Sequence, residues 1–134
     1  MRYLLDTNIV CDLVRNPHGR VTESIRRVGE ARVCTSVIVA AELRYGAGRK
    51  ASPRLSAQVE AVLGVLPVMP FEPPADAAYG AIRCDLERRG LPIGSNDLLI
   101  AAHAITLGCI MVTDNVREFG RVVGLSCENW LRQA

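Results

Sequence analysis

Short apolar runs, each bounded by polar residues, alternate along this chain with longer segments of helical character. The first such run, Tyr3-Leu4-Leu5, ends at Asp6, and the last, Cys109 to Thr113, ends at Asp114. Runs of this length are typical of buried strands, and their alternation with helices is typical of a mostly parallel sheet. We therefore predict an α/β sandwich around a mostly parallel sheet of about four or five strands, in a single domain over residues 1–134.

Turn and capping residues set the predicted boundaries of the elements. Thr35 or Ser36 can cap one helix, and Asn96 can cap another that ends at Gly108. The predicted strands are 2–5, 32–35, a segment within 65–71, and 109–113; the predicted helices cover about 7–15, 22–28, 37–45, 53–66, 76–89 and 97–107, with single helical turns at 117–120 and 127–132.

Composition narrows the class of protein. The chain is 49% hydrophobic and 22% charged, which is typical of a folded globular protein. No apolar run reaches the roughly 18 residues that a membrane span needs, and only three apolar residues separate Arg2 from Asp6, too few for a signal peptide. We therefore predict a cytoplasmic protein that does not contact membranes.

Lys50 is the single lysine among 16 basic residues, so the other basic residues are arginines. This arginine excess reflects either genomic base composition or phosphate recognition.

Four acids stand in apolar surroundings where a carboxylate is unusual. Asp6 and Asp114 end predicted strands, Asp97 opens the apolar helix Leu98 to Ala102, and Glu42 is the one charge between Val37 and Leu43, a run that we expect to be buried nearly all round. Each could have an ordinary role, as a turn residue, a helix N-terminal acid or a partner of a buried arginine. Together they are expected at the carboxyl edge of the sheet, where ligand sites gather in such folds.

Clustered carboxylates repel one another, and a divalent cation removes that conflict. Oxygen ligands without histidine or cysteine favour Mg²⁺ or Mn²⁺ over zinc. We predict that Asp6, Glu42, Asp97 and Asp114 bind such a metal and activate water to attack a phosphodiester. Small polar residues beside these acids are predicted to hold the carboxylates or metal-bound waters, although caps and turns explain Ser36 and Asn96 equally well. These residues are Thr7, Asn8, Ser36, Ser95, Asn96 and Thr113.

The acids and their neighbours form an ordered series over nearly the whole chain. Its parts are Leu4-Leu5-Asp6-Thr7-Asn8, Ser36 with Ala41-Glu42-Leu43, the strongest segment Leu91 to Ala104, Val112-Thr113-Asp114-Asn115, Arg117-Glu118-Phe119, Gly124-Leu125 and Glu128-Asn129-Trp130. In this series the chain resembles the PIN-domain ribonucleases and, among them, the VapC-type toxins of bacterial toxin–antitoxin pairs. The resemblance implies a three-layer α/β/α sandwich. Family members vary at the fourth acid, so Asp114, Asn115 or Glu118 could supply that oxygen; we favour Asp114 because it ends a strand.

The resemblance also implies a function and its partners. It implies a metal-dependent endoribonuclease that cleaves single-stranded or loop RNA, often a structured RNA such as tRNA. It further implies a homodimer, and a small VapB-like antitoxin whose tail would occupy the acidic site and through which alone the protein would contact DNA. The alternative is a PIN-like module that binds RNA or protein without catalysis. Residues 53–66 carry apolar side chains that could pack on their own domain or form a dimer or antitoxin groove, among them Leu55, Val59, Val62, Leu63 and Leu66.

Overall fold

The computed structural model describes residues 2–132, and its strands form one five-stranded parallel sheet. The strands are β1 (Arg2–Leu5), β2 (Val33–Ser36), β3 (Val68–Met69), β4 (Cys109–Val112) and β5 (Cys127–Glu128). The helices are α1 (Thr7–Arg15), α2 (Arg20–Val28), α3 (Val37–Arg49), α4 (Pro53–Val65), α5 (Ala75–Arg88), α6 (Ser95–Leu107) and α7 (Val116–Phe119), with a 3-10 turn at Glu30–Arg32.

The strand order is β3-β2-β1-β4-β5, and every neighbouring pair is parallel. From β1 the chain moves outward to β2 and β3, and after α5 and α6 it returns to β4 on the other side of β1. Right-handed connections that leave in opposite directions place their helices on opposite faces of the sheet. The predicted three-layer α/β/α fold is therefore confirmed, and the gap between the ends of β1 and β4 is the position where such folds bind ligands.

The central strands supply the core. Leu4 and Leu5 of β1 are fully buried, as are Met111 and Val112 of β4 and Ile100 of α6. Because β1 has neighbours on both sides and helices on both faces, it reads as a continuous apolar run rather than an alternating one. The packing of these buried residues holds the ends of β1 and β4, and thus the residues that follow them, in place.

Local signals explain where the site helices begin and end. The Ser36 hydroxyl accepts a hydrogen bond from the Ile38 N–H and caps α3, as one of the two predicted caps. Gly108 ends α6 in the left-handed conformation, with φ of 68°, so that β4 can start at the next residue. Asn96 does not cap α6; Gly94 holds the N-cap position, without a side-chain hydrogen bond, and Asn96 lies in the first turn.

Two further expectations are wrong. Residues 127–132 do not begin as a helical turn, because Cys127 and Glu128 pair with β4 as the edge strand β5. The start of α3 is not buried all round, since Val37 and Ala41 are exposed. No helix within residues 2–132 has both the length and the apolar character needed to cross a membrane.

Candidate active site

Asp6 is the buried acid at the centre of the site. It follows β1, and its carboxyl group accepts a hydrogen bond from the Thr113 hydroxyl at 2.7 Å, from the end of β4. Burial raises the pKa of Asp6, the Thr113 hydroxyl and the Thr7 N–H oppose that change, and the charges of Glu42 and Glu118 add to it. The neighbouring ends of β1 and β4 thus present one carboxyl group with a fixed orientation.

Glu42 reaches the same region from α3. Its carboxylate accepts one hydrogen bond from the Thr7 hydroxyl at 2.6 Å and another from the Asn96 side-chain amide at 3.2 Å. Glu42 is therefore held by the first turn of α1 and the first turn of α6 together. Of the two roles predicted for Asn96, it takes that of holding an acid, and it links two acid-bearing helices without capping α6.

Asp97 and Glu118 form the other half of the site. The Glu118 carboxylate accepts hydrogen bonds from the Gly94 N–H at 2.8 Å and the Asn115 side-chain amide at 2.6 Å. Burial, and then the charges of Asp6, Glu118 and Glu42, raise the pKa of Asp97 to about 7. The Gly94 N–H is the main reason that the pKa of Glu118 is lowered. At neutral pH this pair can therefore hold one shared proton.

Asp114 does not join the other acids. Its carboxylate accepts hydrogen bonds from Asn129 at 2.9 Å and from Arg132 at 3.1 Å, both in the segment after β5. The Asn129 amide, and then Arg132, lower the pKa of Asp114, and Asp114 is not among the charges that raise the pKa of Asp6 or Asp97. Among the three alternatives for the fourth oxygen, the structure brings Glu118 to the cluster and not the favoured Asp114.

The small polar residues divide into two groups. Thr7, Asn96 and Thr113 donate hydrogen bonds to the acids, as described above. Asn8 instead accepts the Asp114 N–H at 3.1 Å, which fixes the backbone after β4. Ser36 contacts no carboxylate: its hydroxyl caps α3 and lies 2.8 Å from the His103 Nδ1.

Sequence reasoning missed two contributors. The backbone N–H of Gly94 fixes Glu118, and the Asn115 side chain, considered only as a possible ligand, orients the same carboxylate. A built Cβ on Gly94 would lie 3.9 Å from both the Asp97 Oδ2 and the Glu118 Oε1, so both oxygens lie close to this glycine. A glycine three residues before an acid at a helix start was the available signal.

The donor set fits a hard divalent cation. The groups that interact are four carboxylates with no histidine or cysteine among them, which is the chemistry of a Mg²⁺ or Mn²⁺ site. Within residues 2–132, no three His, Cys, Asp or Glu side chains stand close enough to enclose a metal ion as they are placed. A cation would have to draw the four carboxylates closer to one another, and relief of their repulsion favours that movement.

The chain is similar in sequence to a known family and to named relatives. The family model described as "PIN domain" matches residues 3–125. The chain is 40% identical to Ribonuclease VapC2 of Haemophilus influenzae over 134 residues, 98% of this chain and 99% of the relative. It is 37% identical to the tRNA(fMet)-specific endonuclease VapC of Shigella flexneri over 131 residues, 97% and 98% of the two chains.

A solved structure shares both fold and sequence. A DNA-bound VapBC complex from Salmonella typhimurium superposes with a TM-score of 0.90 and 36% identity, over 97% of this chain and 98% of the other. A divalent-metal requirement is typical of PIN-domain nucleases. The chain has the parallel sheet and a carboxylate cluster described above, and it shares these similarities over nearly its whole length. It therefore belongs to the PIN-domain family, among the VapC ribonucleases.

Proposed function

We propose that this protein is the toxin of a toxin–antitoxin pair, an endoribonuclease that uses Mg²⁺ or Mn²⁺ to hydrolyse phosphodiester bonds in single-stranded or loop RNA, with tRNA as the expected substrate. The observation that carries the proposal is the convergence of four carboxylates: burial, and then the charges of Asp6, Glu118 and Glu42, raise the pKa of Asp97 to about 7. A carboxylate cluster of this kind is unfavourable for a structural role and favourable for holding a cation.

Asp6, Glu42, Asp97 and Glu118 would hold the metal. Bound there, a divalent cation supplies charge stabilisation for the phosphoryl group and lowers the pKa of a coordinated water. Asp114 is replaced by Glu118 in this set, because Arg132 and Asn129 already hold the Asp114 carboxylate.

The remaining residues orient the acids. Thr113 donates to Asp6, and Thr7 and Asn96 donate to the two oxygens of Glu42, so these donors hold both carboxylates while their oxygens keep further lone pairs for a cation. Asp97 would stay ionised beside the bound cation, because a nearby positive charge opposes the rise in pKa that burial and the neighbouring carboxylates cause. The Gly94 N–H keeps Glu118 ionised beside it.

The partners follow from the relatives. Solved relatives are VapBC complexes, some of them bound to DNA. We propose that this chain, as a single PIN-like domain, acts in the cytoplasm as a homodimer and is inhibited by a VapB-like antitoxin. The antitoxin's tail would enter the acidic cleft, typically with an arginine that pairs with the carboxylates. Contact with DNA would then occur only through the antitoxin.

Cleavage assays on total tRNA test the enzymatic proposal. We expect cleavage with Mg²⁺ or Mn²⁺, none with EDTA, and products with a 5′-phosphate and a 3′-hydroxyl. Asp97→Asn should abolish cleavage while preserving the fold. Asp76→Asn is the matched control, since it removes the same charge from an exposed position in the first turn of α5.

Two outcomes would contradict the proposal. RNA binding without cleavage under any divalent cation would support the non-catalytic alternative. Products that end in a 2′,3′-cyclic phosphate, formed in the presence of EDTA, would show a reaction that does not depend on the carboxylate cluster.

A further inference from the structure

A groove leads away from the acid cluster between α1, α3 and α4. Thr7 and Glu42, which belong to the active site, line one end of it, and Arg15 and Lys50 line the other. Its cavity volume is about 280 Å³, which suits a group the size of one nucleoside. The groove is therefore continuous with the site of the proposed reaction and ends at two cations.

Helix geometry explains why opposite charges stand at the two ends. Arg15 lies eight residues after Thr7 on α1, and Lys50 lies eight residues after Glu42 along α3. Eight residues span about 12 Å, and residues separated by three or four positions share a helix face. Both helices start at the carboxyl edge of the sheet, so the groove passes from acids to bases along its length.

The floor and walls between these ends are apolar. They are formed by one face each of α1, α3 and α4: Cys11, Val14, Leu43, Ala47, Leu55 and Val59. At the far end, neither Arg15 nor Lys50 forms an ion pair within residues 2–132. Two unpaired cations beside an apolar surface and next to a phosphodiester-cleaving site match the alternation of bases and phosphates in a single nucleic-acid strand.

We infer that this groove is a substrate subsite: it accepts a nucleoside of the RNA strand adjacent to the scissile phosphate, and Arg15 and Lys50 bind the next backbone phosphate. The inference rests on the proposed ribonuclease function. It assigns a role to Lys50, the single lysine of the chain. Because the walls between the two ends are apolar and cannot hydrogen-bond to base edges, the subsite takes any base with little preference, and target choice must come from contacts elsewhere.

The groove can be filled without disturbing the fold. Gly46 lies on the groove side of α3, and a Cβ built there meets no atom within 4 Å. Gly46→Leu therefore places a side chain into the groove and also replaces a poor helix former by a good one. Gly64 of α4 is an equally open glycine outside the groove lining, so Gly64→Leu is the matched control.

The substitutions of Arg15 and Lys50 also have a control variant, at Arg26. Arg26 forms an exposed ion pair with Glu23 on α2 and lies beside Val33, at the opposite edge of the sheet from the acids. Arg26→Gln removes one positive charge from the protein at a position remote from the groove. It separates a local phosphate contact from a general effect of net charge.

The test measures binding of a fluorescent single-stranded oligoribonucleotide by anisotropy, in an Asp97→Asn background so that the RNA stays intact. We expect Arg15→Gln with Lys50→Gln to weaken binding about tenfold and to reduce the slope of log Kd against log salt by about 0.7, the value for one lost phosphate contact. Gly46→Leu should weaken binding to a similar extent with the slope unchanged. Arg26→Gln and Gly64→Leu should stay within about twofold of the parent.

The outcome separates this inference from the proposed function. If Gly46→Leu and the double variant bind RNA as the parent does, the subsite is refuted, and the groove is left for a protein segment such as an antitoxin helix. If the chain without any substitution neither binds nor cleaves RNA, the ribonuclease proposal itself fails. With Asp97 restored, titration with Mn²⁺ should give the same affinity for the unsubstituted protein and for the groove variants, because no groove substitution replaces an acid of the site.

Discussion

Removal of the Asp97 charge should stabilise the metal-free protein above neutral pH. In the folded state, burial and three neighbouring carboxylates raise the pKa of Asp97 to about 7, from an ordinary value of 3.8. The folded protein therefore binds this proton more tightly than the unfolded chain does. Below about pH 4 both states are protonated; between about pH 4 and pH 7 the stability that this group contributes falls as pH rises, and above that it stays at its lowest value.

The size of the effect follows from the shift. About three pKa units at 1.36 kcal/mol each set an upper limit of roughly 4 kcal/mol. Asp97 is only partly buried, and solvent screening reduces this to about 1–2 kcal/mol. Asn cannot replace the favourable charge in the first turn of α6, which is worth about 0.5 kcal/mol. Asp97→Asn should therefore gain about 1 kcal/mol at pH 8, or about 3 °C in Tm for a chain of this size.

Urea unfolding followed by circular dichroism, in EDTA at pH 4 and at pH 8, measures this difference. We expect Asp97→Asn and the unsubstituted protein to be equally stable at pH 4 and to diverge at pH 8, with Asp76→Asn as the control for loss of a surface charge. Mg²⁺ should then stabilise the unsubstituted protein more than the variant. Equal stabilities at both pH values, or a less stable variant at pH 8, would refute the electrostatic account of the site.

Four further substitutions test individual contacts. Thr113→Val should lower activity about 10- to 100-fold and the free energy of unfolding by about 1–2 kcal/mol, since it leaves the Asp6 carboxyl group without its donor; tRNA cleavage and urea unfolding measure the two effects. Glu118→Gln should reduce cleavage at least about 100-fold, whereas Asp114→Asn should change it less than about threefold. Ser36→Ala should lose about 1 kcal/mol of stability through the cap of α3, as seen in urea, and a loss below about 0.3 kcal/mol would show that the cap is dispensable.

The sequence predicted the strands and helices that carry the site because these elements depend on local signals. Apolar runs that end in an acid predicted β1 and β4, and the turn residues predicted most helix limits to within a few positions. Since parallel strands place their carboxyl ends together, Asp6 and the end of β4 had to be neighbours once the fold class was right. Comparison with the PIN-domain relatives confirms the fold class and the ribonuclease assignment.

Long-range pairing explains what the sequence could not predict. Cys127 and Glu128 have no strong strand pattern of their own, and they form β5 because β4 offers an unpaired edge. Two roles were predicted for Asn96, a helix cap or a support for an acid, and Glu42 from another helix decides between them by accepting the amide N–H. In both cases a partner distant in sequence decides the conformation, and residue patterns within a short window carry no information about that partner.

The position of the fourth acid shows the same limit at the scale of one side chain. Asp114 and Glu118 are both close to the end of β4, and proximity to the strand favours Asp114. Hydrogen-bond donors make Glu118 the acid that reaches the site instead. The Gly94 N–H holds Glu118 close to Asp97, while Arg132 holds the Asp114 carboxylate beside the segment after β5. Strand position therefore decides which acids can reach the site, and hydrogen-bond donors from residues 94 and 132 decide which one does.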